Sequence, residues 1–415
     1  MKKHILIMAL ACSQCLAMQA RTLPEVSLLR QDTAEAVVPM PTRSLWPVNV
    51  QTRLDSLTSD PLFEQTQLGL MVYDLSADSA LYSYGAKQTM RPASTMKLLT
   101  AVTALELLGS NYAFRTYLYY KGTIAQGVLS GDVWLVGGMD PLFDDTDMRI
   151  FAETLRRVGV DTIRGRIIQD TSFKEEQLLG EGWCWDDDNP QLSPLLVSRK
   201  DEFASRFKDE LGKCGITVDA PITAGRLPND KNILLVCSRS HSLYDVLVPM
   251  IKESDNLYAE SVFYQIAATM GKRPATAAHA RQQIKQILSK AGVSGVQYRI
   301  ADGSGLSLYN YVTPALMIRL LRHAYLQRDV MAALYTSLPV AGVDGTLKKR
   351  MTTGAAFQNV HAKTGTLSGI SSLAGYCRAA NQHLLAFCII NQGVMKMADG
   401  RAFQDKVCEA LCQGF

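Results

Sequence analysis

The chain has 415 residues, too long for one small module and suggesting two or three domains. Apolar residues make up 47% and charged residues 20%, the profile of an ordinary globular protein and not of a disordered or fibrous one. The 43 Lys+Arg against 39 Asp+Glu leave +4, with the cations scattered and no basic tract, so no nucleic-acid partner is expected.

The chain opens on Lys2 and Lys3, an apolar stretch from Ile5 to Ala11, and small residues running to Ala17 and Ala20. That is the layout of a secretory signal, with cleavage expected near Ala20. Leu10-Ala11-Cys12-Ser13 also resembles a lipoprotein cleavage box, so a lipid anchor on Cys12 is the alternative. No later segment has the ~18 consecutive apolar residues of a membrane span. A secreted or periplasmic mature chain without a transmembrane segment is therefore expected. The nine cysteines show no paired metal-ligand spacing, and seven would remain after cleavage, an odd number that excludes a fully paired disulfide scaffold. No metal site and no cofactor are expected.

Residues 21–47 carry scattered Pro and read as a linker. A short helix is expected from Asn49 to Leu57, then a hairpin of Leu68–Leu75 and Ala80–Tyr84. Ser94 through Leu108 places Leu98, Val102, Leu105 and Leu108 at helical spacing behind Pro92. Residues 112–240 change character, with strands at Tyr117–Lys121, Asp132–Val136, Arg164–Gln169 and Ile233–Cys237, and helices at Ile150–Val158 and Asp201–Gly212. Helices return at Leu243–Met270, Pro274–Ala291 and Pro314–Leu326. Two strands, Ser371–Arg378 and His383–Asn391, and a final amphipathic helix through Phe403, Val407 and Leu411 close the chain. The expected division is one domain split between 48–111 and 241–415, with a β-rich domain of 112–240 inserted.

Three motifs carry chemistry. Ser94-Thr-Met-Lys97 puts a hydroxyl and an amine on one face of a helix start, where the amine can deprotonate the hydroxyl. Ser254-Asp-Asn256 interrupts a helical stretch, and Lys363-Thr364-Gly365-Thr366 enters an apolar strand, Gly365 permitting close approach of another backbone or a ligand. Alone each is weak, and a Ser-x-x-Lys pattern is expected about once or twice by chance in a chain this long. In this order and context, however, the three are the signature set of penicillin-binding proteins and serine β-lactamases.

The sequence most resembles the D-alanyl-D-alanine carboxypeptidase/endopeptidase family, the low-molecular-mass class C penicillin-binding proteins, which carry an insertion between the first and second motifs. Leu135-Val-Gly-Gly-Met-Asp-Pro-Leu, Gly182-Trp-Cys-Trp-Asp-Asp, Asp302-Gly-Ser-Gly-Leu-Ser and Gly342-Val-Asp-Gly-Thr-Leu extend the match over residues 90 to 370. The resemblance implies an α+β fold: a β-lactamase-like transpeptidase domain, with an antiparallel sheet flanked by helices and a helical subdomain, plus the inserted domain. It departs from the family twice. Pro194-Leu-Leu-Val-Ser runs almost directly into the Asp201 helix, so the family's third domain is expected to be reduced, and Leu308 stands where an arginine is common.

The resemblance implies a serine peptidase acting on peptidoglycan stem peptides, acylated by β-lactams as covalent inhibitors. Ser94 is the expected nucleophile and Lys97 its base, neutral through desolvation and the neighbouring Lys363. Ser254 relays a proton to the departing D-alanine and Asn256 offers its amide to the substrate backbone. Lys363, Thr364 and Thr366 hold the terminal carboxylate, and the backbone N–H groups of Ser94 and Thr366 form the oxyanion hole. Asp186 or Asp187 pairs with a stem-peptide amino group, flanked by Trp183 and Trp185. No Glu-x-x-Leu-Asn segment follows Ser94 and the middle motif begins with Ser254 instead of Tyr, which disfavours a β-lactamase. The alternatives are a β-lactamase or esterase on the same scaffold and a catalytically weak wall-binding protein.

Overall fold

The computed structural model describes residues 46–186, 188–294 and 297–413. The expected signal, Cys12, most of the 21–47 linker and Asp187 lie outside the described residues.

In chain order, helix α1 (Val48–Thr58) precedes the hairpin β1 (Gln67–Asp74) and β2 (Ser79–Tyr84). A 3-10 turn, Ala93–Met96, runs into α2 (Lys97–Leu108). Strands β3 (Ala113–Ala125) and β4 (Val128–Val136) lead to α3 (Asp145–Arg157), β5 (Thr162–Arg164), β6 (Ile167–Asp170), α4 (Phe203–Lys213), β7 (Thr217–Asp219), β8 (Ile222–Ala224) and β9 (Leu234–Ser242). Five helices follow: α5 (Leu243–Lys252), α6 (Asn256–Ala268), α7 (Ala277–Lys290), α8 (Pro314–Leu326) and α9 (Arg328–Ser337). The chain ends on β10 (His361–Leu367), β11 (Ile370–Arg378), β12 (Leu384–Gln392) and α10 (Met397–Gln413).

One sheet, in the order β10-β11-β12-β1-β2, is antiparallel throughout. Its central strands are apolar on both faces, because strand periodicity sends alternate residues into different cores. From β12, Leu385, Phe387 and Ile389 join a core with α1 and α10, while Ala386, Cys388 and Ile390 join the larger core built on α2, α5, α6 and α8. This architecture is the expected α+β arrangement.

The second sheet uses only strands between 113 and 242, in the order β7-β5-β4-β3-β9, with β6 beside β4 and β8 beside β6. It differs from a simple β-rich insert. β4 runs parallel to β5 and β6, and parallel neighbours need a crossover, which α3 and α4 supply while burying Leu129, Val133, Phe151 and Phe207. The strand expected at Arg164–Gln169 is two short strands broken at Gly165, where a Cβ would meet Gly131 O at 2.1 Å. The helical stretch expected over Leu243–Met270 is likewise two helices, since Asp255 accepts a hydrogen bond from Tyr258 N and caps α6. Helix α9, not expected from the sequence, follows α8 almost without a break. No described helix is long and apolar enough to cross a membrane, and all seven cysteines after position 20 are unpaired.

Candidate active site

Ser94 stands half-buried on the 3-10 turn at the mouth of α2. Two hydroxyls fasten the start of that turn: Thr95 Oγ1 donates to Pro92 O at 2.7 Å and Ser372 Oγ to the same carbonyl at 2.6 Å. Two glycines close on it from different elements. A Cβ on Gly365 of β10 would lie 2.2 Å from Ser372 Oγ, 2.8 Å from Pro92 O and 3.0 Å from Ser94 N. A Cβ on Gly305 would lie 1.9 Å from Ala93 O. The third motif therefore lies against the first through backbone that only glycine leaves room for.

Lys97 begins α2 and is fully buried. Its Nζ donates to Ser94 Oγ at 3.1 Å, to Asn256 Oδ1 at 2.7 Å and to Ser304 O at 2.8 Å. Burial pushes its pKa down to about 8, against the opposing pull of Asp302, Glu260 and Asp255. A neutral amine has two protons for Asn256 and Ser304 and a lone pair left for the Ser94 hydroxyl. Deprotonation thus reverses the serine bond and leaves the other two in place.

The loop 302–305, which carries the Ser304 carbonyl, is tied down by two buried acids. Asp302 accepts from Gly305 N at 2.8 Å, Ser307 N at 2.7 Å and Asn310 Nδ2 at 2.7 Å. Glu260, one turn along α6 from Asn256, accepts from Gly303 N at 3.0 Å and Ser304 N at 2.7 Å, and burial raises its pKa to about 8. Thr100 Oγ1 completes the clamp on Gly303 O at 2.7 Å. Sequence reasoning singled out none of these as site residues. The signal was present in the i, i+4 spacing of Asn256 and Glu260, which puts both on one face of α6.

The remaining expected residues fall into two groups. Lys363 is fully buried on β10, its Nζ bonded to Thr364 O at 2.8 Å, and burial followed by repulsion from Lys97 holds its pKa well below the usual lysine range. Thr364 Oγ1 donates to Thr346 Oγ1 at 2.8 Å, and Thr366 is exposed on the same edge strand. Ser254 sits between α5 and α6 with a left-handed φ of 64°, and its hydroxyl has no hydrogen-bond partner among the described residues. Asn256 Oδ1 accepts from Lys97, which leaves its Nδ2 donor unengaged among the described residues.

Trp183 Nε1 donates to Asp302 Oδ2 at 2.8 Å, Trp185 is 85% exposed, and Asp186 is exposed with no side-chain partner among the described residues. Beside Asn256 opens a polar groove of about 710 Å³ lined by Asp188, Asn189, Arg199, Lys200 and Asp201. Leu308 is 41% exposed, and its carbonyl accepts from Arg91 Nε at 2.9 Å. No group of three His, Cys, Asp or Glu suited to a metal ion occurs among the described residues.

The D-Ala-D-Ala carboxypeptidase 3 (S13) family model matches residues 50–201 and 196–413. The D-alanyl-D-alanine carboxypeptidase of Actinomadura sp. (strain R39) is 27% identical over 87% of this chain and 84% of its own. The D-alanyl-D-alanine carboxypeptidase DacB of Haemophilus influenzae is 26% identical over 78% of this chain and 85% of its own. The crystal structure of penicillin-binding protein 4 (dacB) from Haemophilus influenzae superposes with a TM-score of 0.78 at 24% identity, covering 86% of this chain and 98% of that one. A second crystal structure of it, complexed with a β-lactam, has a TM-score of 0.72 at 24% identity over 85% and 98% of the two chains. At that identity the structural likeness speaks for the fold.

Proposed function

We propose, from the premise that this chain belongs to the D-Ala-D-Ala carboxypeptidase 3 (S13) family, that it hydrolyses the terminal peptide bond of peptidoglycan stem peptides through an acyl-enzyme on Ser94. It is a serine-type D-Ala-D-Ala carboxypeptidase of penicillin-binding protein 4 type. The observation that carries the residue assignment is the Lys97 amine, buried and 3.1 Å from Ser94 Oγ with its other two protons taken.

At pH 7 a pKa of about 8 leaves about a tenth of Lys97 neutral, enough to accept the Ser94 proton as Oγ attacks the carbonyl. The backbone N–H groups of Ser94 and Thr366, brought close by the contact of Gly365 with Ser94 N, receive the oxyanion. A substrate carboxylate arriving at Lys363, Thr364 and Thr366 favours protonation of Lys363, which explains a demand for a free C-terminus. Ser254, its hydroxyl unengaged, passes the proton that Lys97 took from Ser94 on to the leaving amine, while Asn256 Nδ2 holds the acyl side. Water then releases the enzyme by the same relay in reverse. Asp186 or its neighbour Asp187 receives an amino group on the stem peptide, while Trp183 fixes the loop through Asp302.

The same site opens β-lactams to covalent capture at Ser94, and internal D-alanyl cross-links are a second substrate for endopeptidase action. Residues 48–111 with 241–415 form the catalytic part around the 112–240 insert. The N-terminal pattern of Lys2, Lys3 and the following apolar stretch supports export to the periplasm. Release of D-alanine from an acyl-D-Ala-D-Ala peptide, lost in Ser94→Ala and Lys97→Ala, tests the reading. Undiminished release by Lys97→Ala refutes it. Rapid turnover of penicillin in place of a lasting Ser94 adduct supports a β-lactamase instead.

A further inference from the structure

We infer that Arg199, outside all three motifs, is a positioning residue that sets both the place of Asn256 and the charge field on Lys97 by acting through Asp255. The inference rests on the reading of Lys97 as base. Its starting point is backbone conformation. Ser198 and Arg199 both hold left-handed φ angles, 46° and 71°, which residues with a Cβ rarely adopt, and two in succession require the surroundings to hold them.

The surroundings do so. Val197 and Lys200 exchange both backbone hydrogen bonds at 3.0 Å, closing a tight reversal. Ser198 N donates to Phe143 O at 2.9 Å, and Ser198 Oγ to Asp145 Oδ2 at 3.1 Å. The reversal delivers the Arg199 guanidinium to Asp255, Nη1 to Oδ2 at 2.7 Å, with the guanidinium carbon 5.5 Å from the Tyr258 ring centroid. Asp255 uses its other oxygen, Oδ1, to accept from Tyr258 N and cap α6, whose first residue is Asn256. Thus Arg199, Asp255, the start of α6 and the 2.7 Å bond from Lys97 to Asn256 Oδ1 form one chain of contacts. Ser254, also left-handed, immediately precedes Asp255.

Charge runs along the same chain. The groups facing Lys97 are Asp255 at the cap of α6, Glu260 further along α6, Asp302 on the 302–305 loop and Lys363 on β10. Asp255 favours the ammonium form of Lys97, and Arg199 is the cation paired with Asp255. Removing that cation leaves the carboxylate uncompensated, so Lys97 holds its proton to higher pH and less base is available at pH 7.

The test follows kcat for release of D-alanine from an acyl-D-Ala-D-Ala peptide against pH, in wild type, Arg199→Gln, Arg199→Lys and Asp255→Asn. Arg199→Gln is expected to move the acid limb upward by about half a unit and to lower kcat about 10- to 100-fold with a smaller change in KM. Arg199→Lys keeps the charge and restores the limb, but not the full kcat, because the planar guanidinium is lost. Asp255→Asn moves the limb downward, and in that background Arg199→Gln no longer raises it. A limb unmoved by Arg199→Gln, or moved equally by Arg199→Lys, overturns the proposal even if kcat falls. A wild-type profile without a limb near 8 overturns the assignment of Lys97 and this proposal with it.

Discussion

Replacing Gly365 by Ala tests whether the third motif acts by backbone proximity or only through Lys363. The added methyl has three obstacles: Ser372 Oγ at 2.2 Å, Pro92 O at 2.8 Å and Ser94 N at 3.0 Å. Ser372 cannot simply turn away without giving up its 2.6 Å bond to Pro92 O, which helps to fasten the serine turn. The two backbone atoms must retreat by several tenths of an ångström, and both belong to the turn that carries Ser94, the proposed nucleophile. Overpacking of this kind costs about 1–3 kcal/mol of stability. The expected catalytic loss is larger in proportion: displacing the Ser94 N–H from the proposed oxyanion site removes one donor, worth about 100- to 1,000-fold in kcat. The assay is D-alanine release together with the acylation rate by a fluorescent penicillin, with thermal unfolding measured alongside. The double variant Gly365→Ala/Ser372→Ala relieves only the hydroxyl clash, so it recovers part of the stability and little of the turnover. Wild-type kcat in Gly365→Ala would refute the claim that β10 sets the position of Ser94.

Acylation in wild type should rise about tenfold from pH 6 to 7, then level off above a midpoint near 8, because the base form of Lys97 is the unprotonated one; a flat profile over that range contradicts the assignment. Glu260 titrates in the opposite sense for stability. Its folded pKa of about 8 exceeds its ordinary 4.5, so its contribution is complete below 4.5 and lost as pH rises through 8, with a slope approaching ~1.4 kcal/mol per pH unit. Unfolding of Glu260→Gln should lack that slope and gain on wild type in alkaline buffer. Trp183→Phe deprives the buried Asp302 of one donor and should lower stability by ~1–3 kcal/mol; an unchanged unfolding midpoint would place the indole outside the structural network.

The legibility of the sequence was uneven for physical reasons. Helix α8 was read to its ends because Pro314 at its first turn and the apolar spacing to Leu326 are both local signals. Strand β12 was legible as an apolar run, although its burial on both faces depends on α10 and α8, which no local pattern reveals. The parallel pairing of β4 with β5 and β6 was not legible, since a three-residue strand such as β5 is too short to show alternation. In the site, Ser94 and Lys97 were readable because they are three residues apart. The acceptors that orient Lys97 come from Asn256 and Ser304, far along the chain, and Asp302 is visible only as a letter in a longer stretch of resemblance. The N–H of Trp183 goes to Asp302, a pairing across 119 positions that spacing cannot show.

The central sheet also fixes an order of events in time. Strand β1 begins at residue 67 and its partner β12 at residue 384, so the hairpin made first has one edge unpaired until more than 300 further residues have been synthesised. The strands from 113 to 242 find their partners among themselves and bury a core of their own in the meantime. Loop closure over such a span is slow and leaves an apolar strand edge open to wrong partners. A chain shortened before β12 therefore loses more than its last strands: it leaves β1 paired with β2 alone and opens the apolar edge that β12 covers along Leu68, Leu70 and Val72.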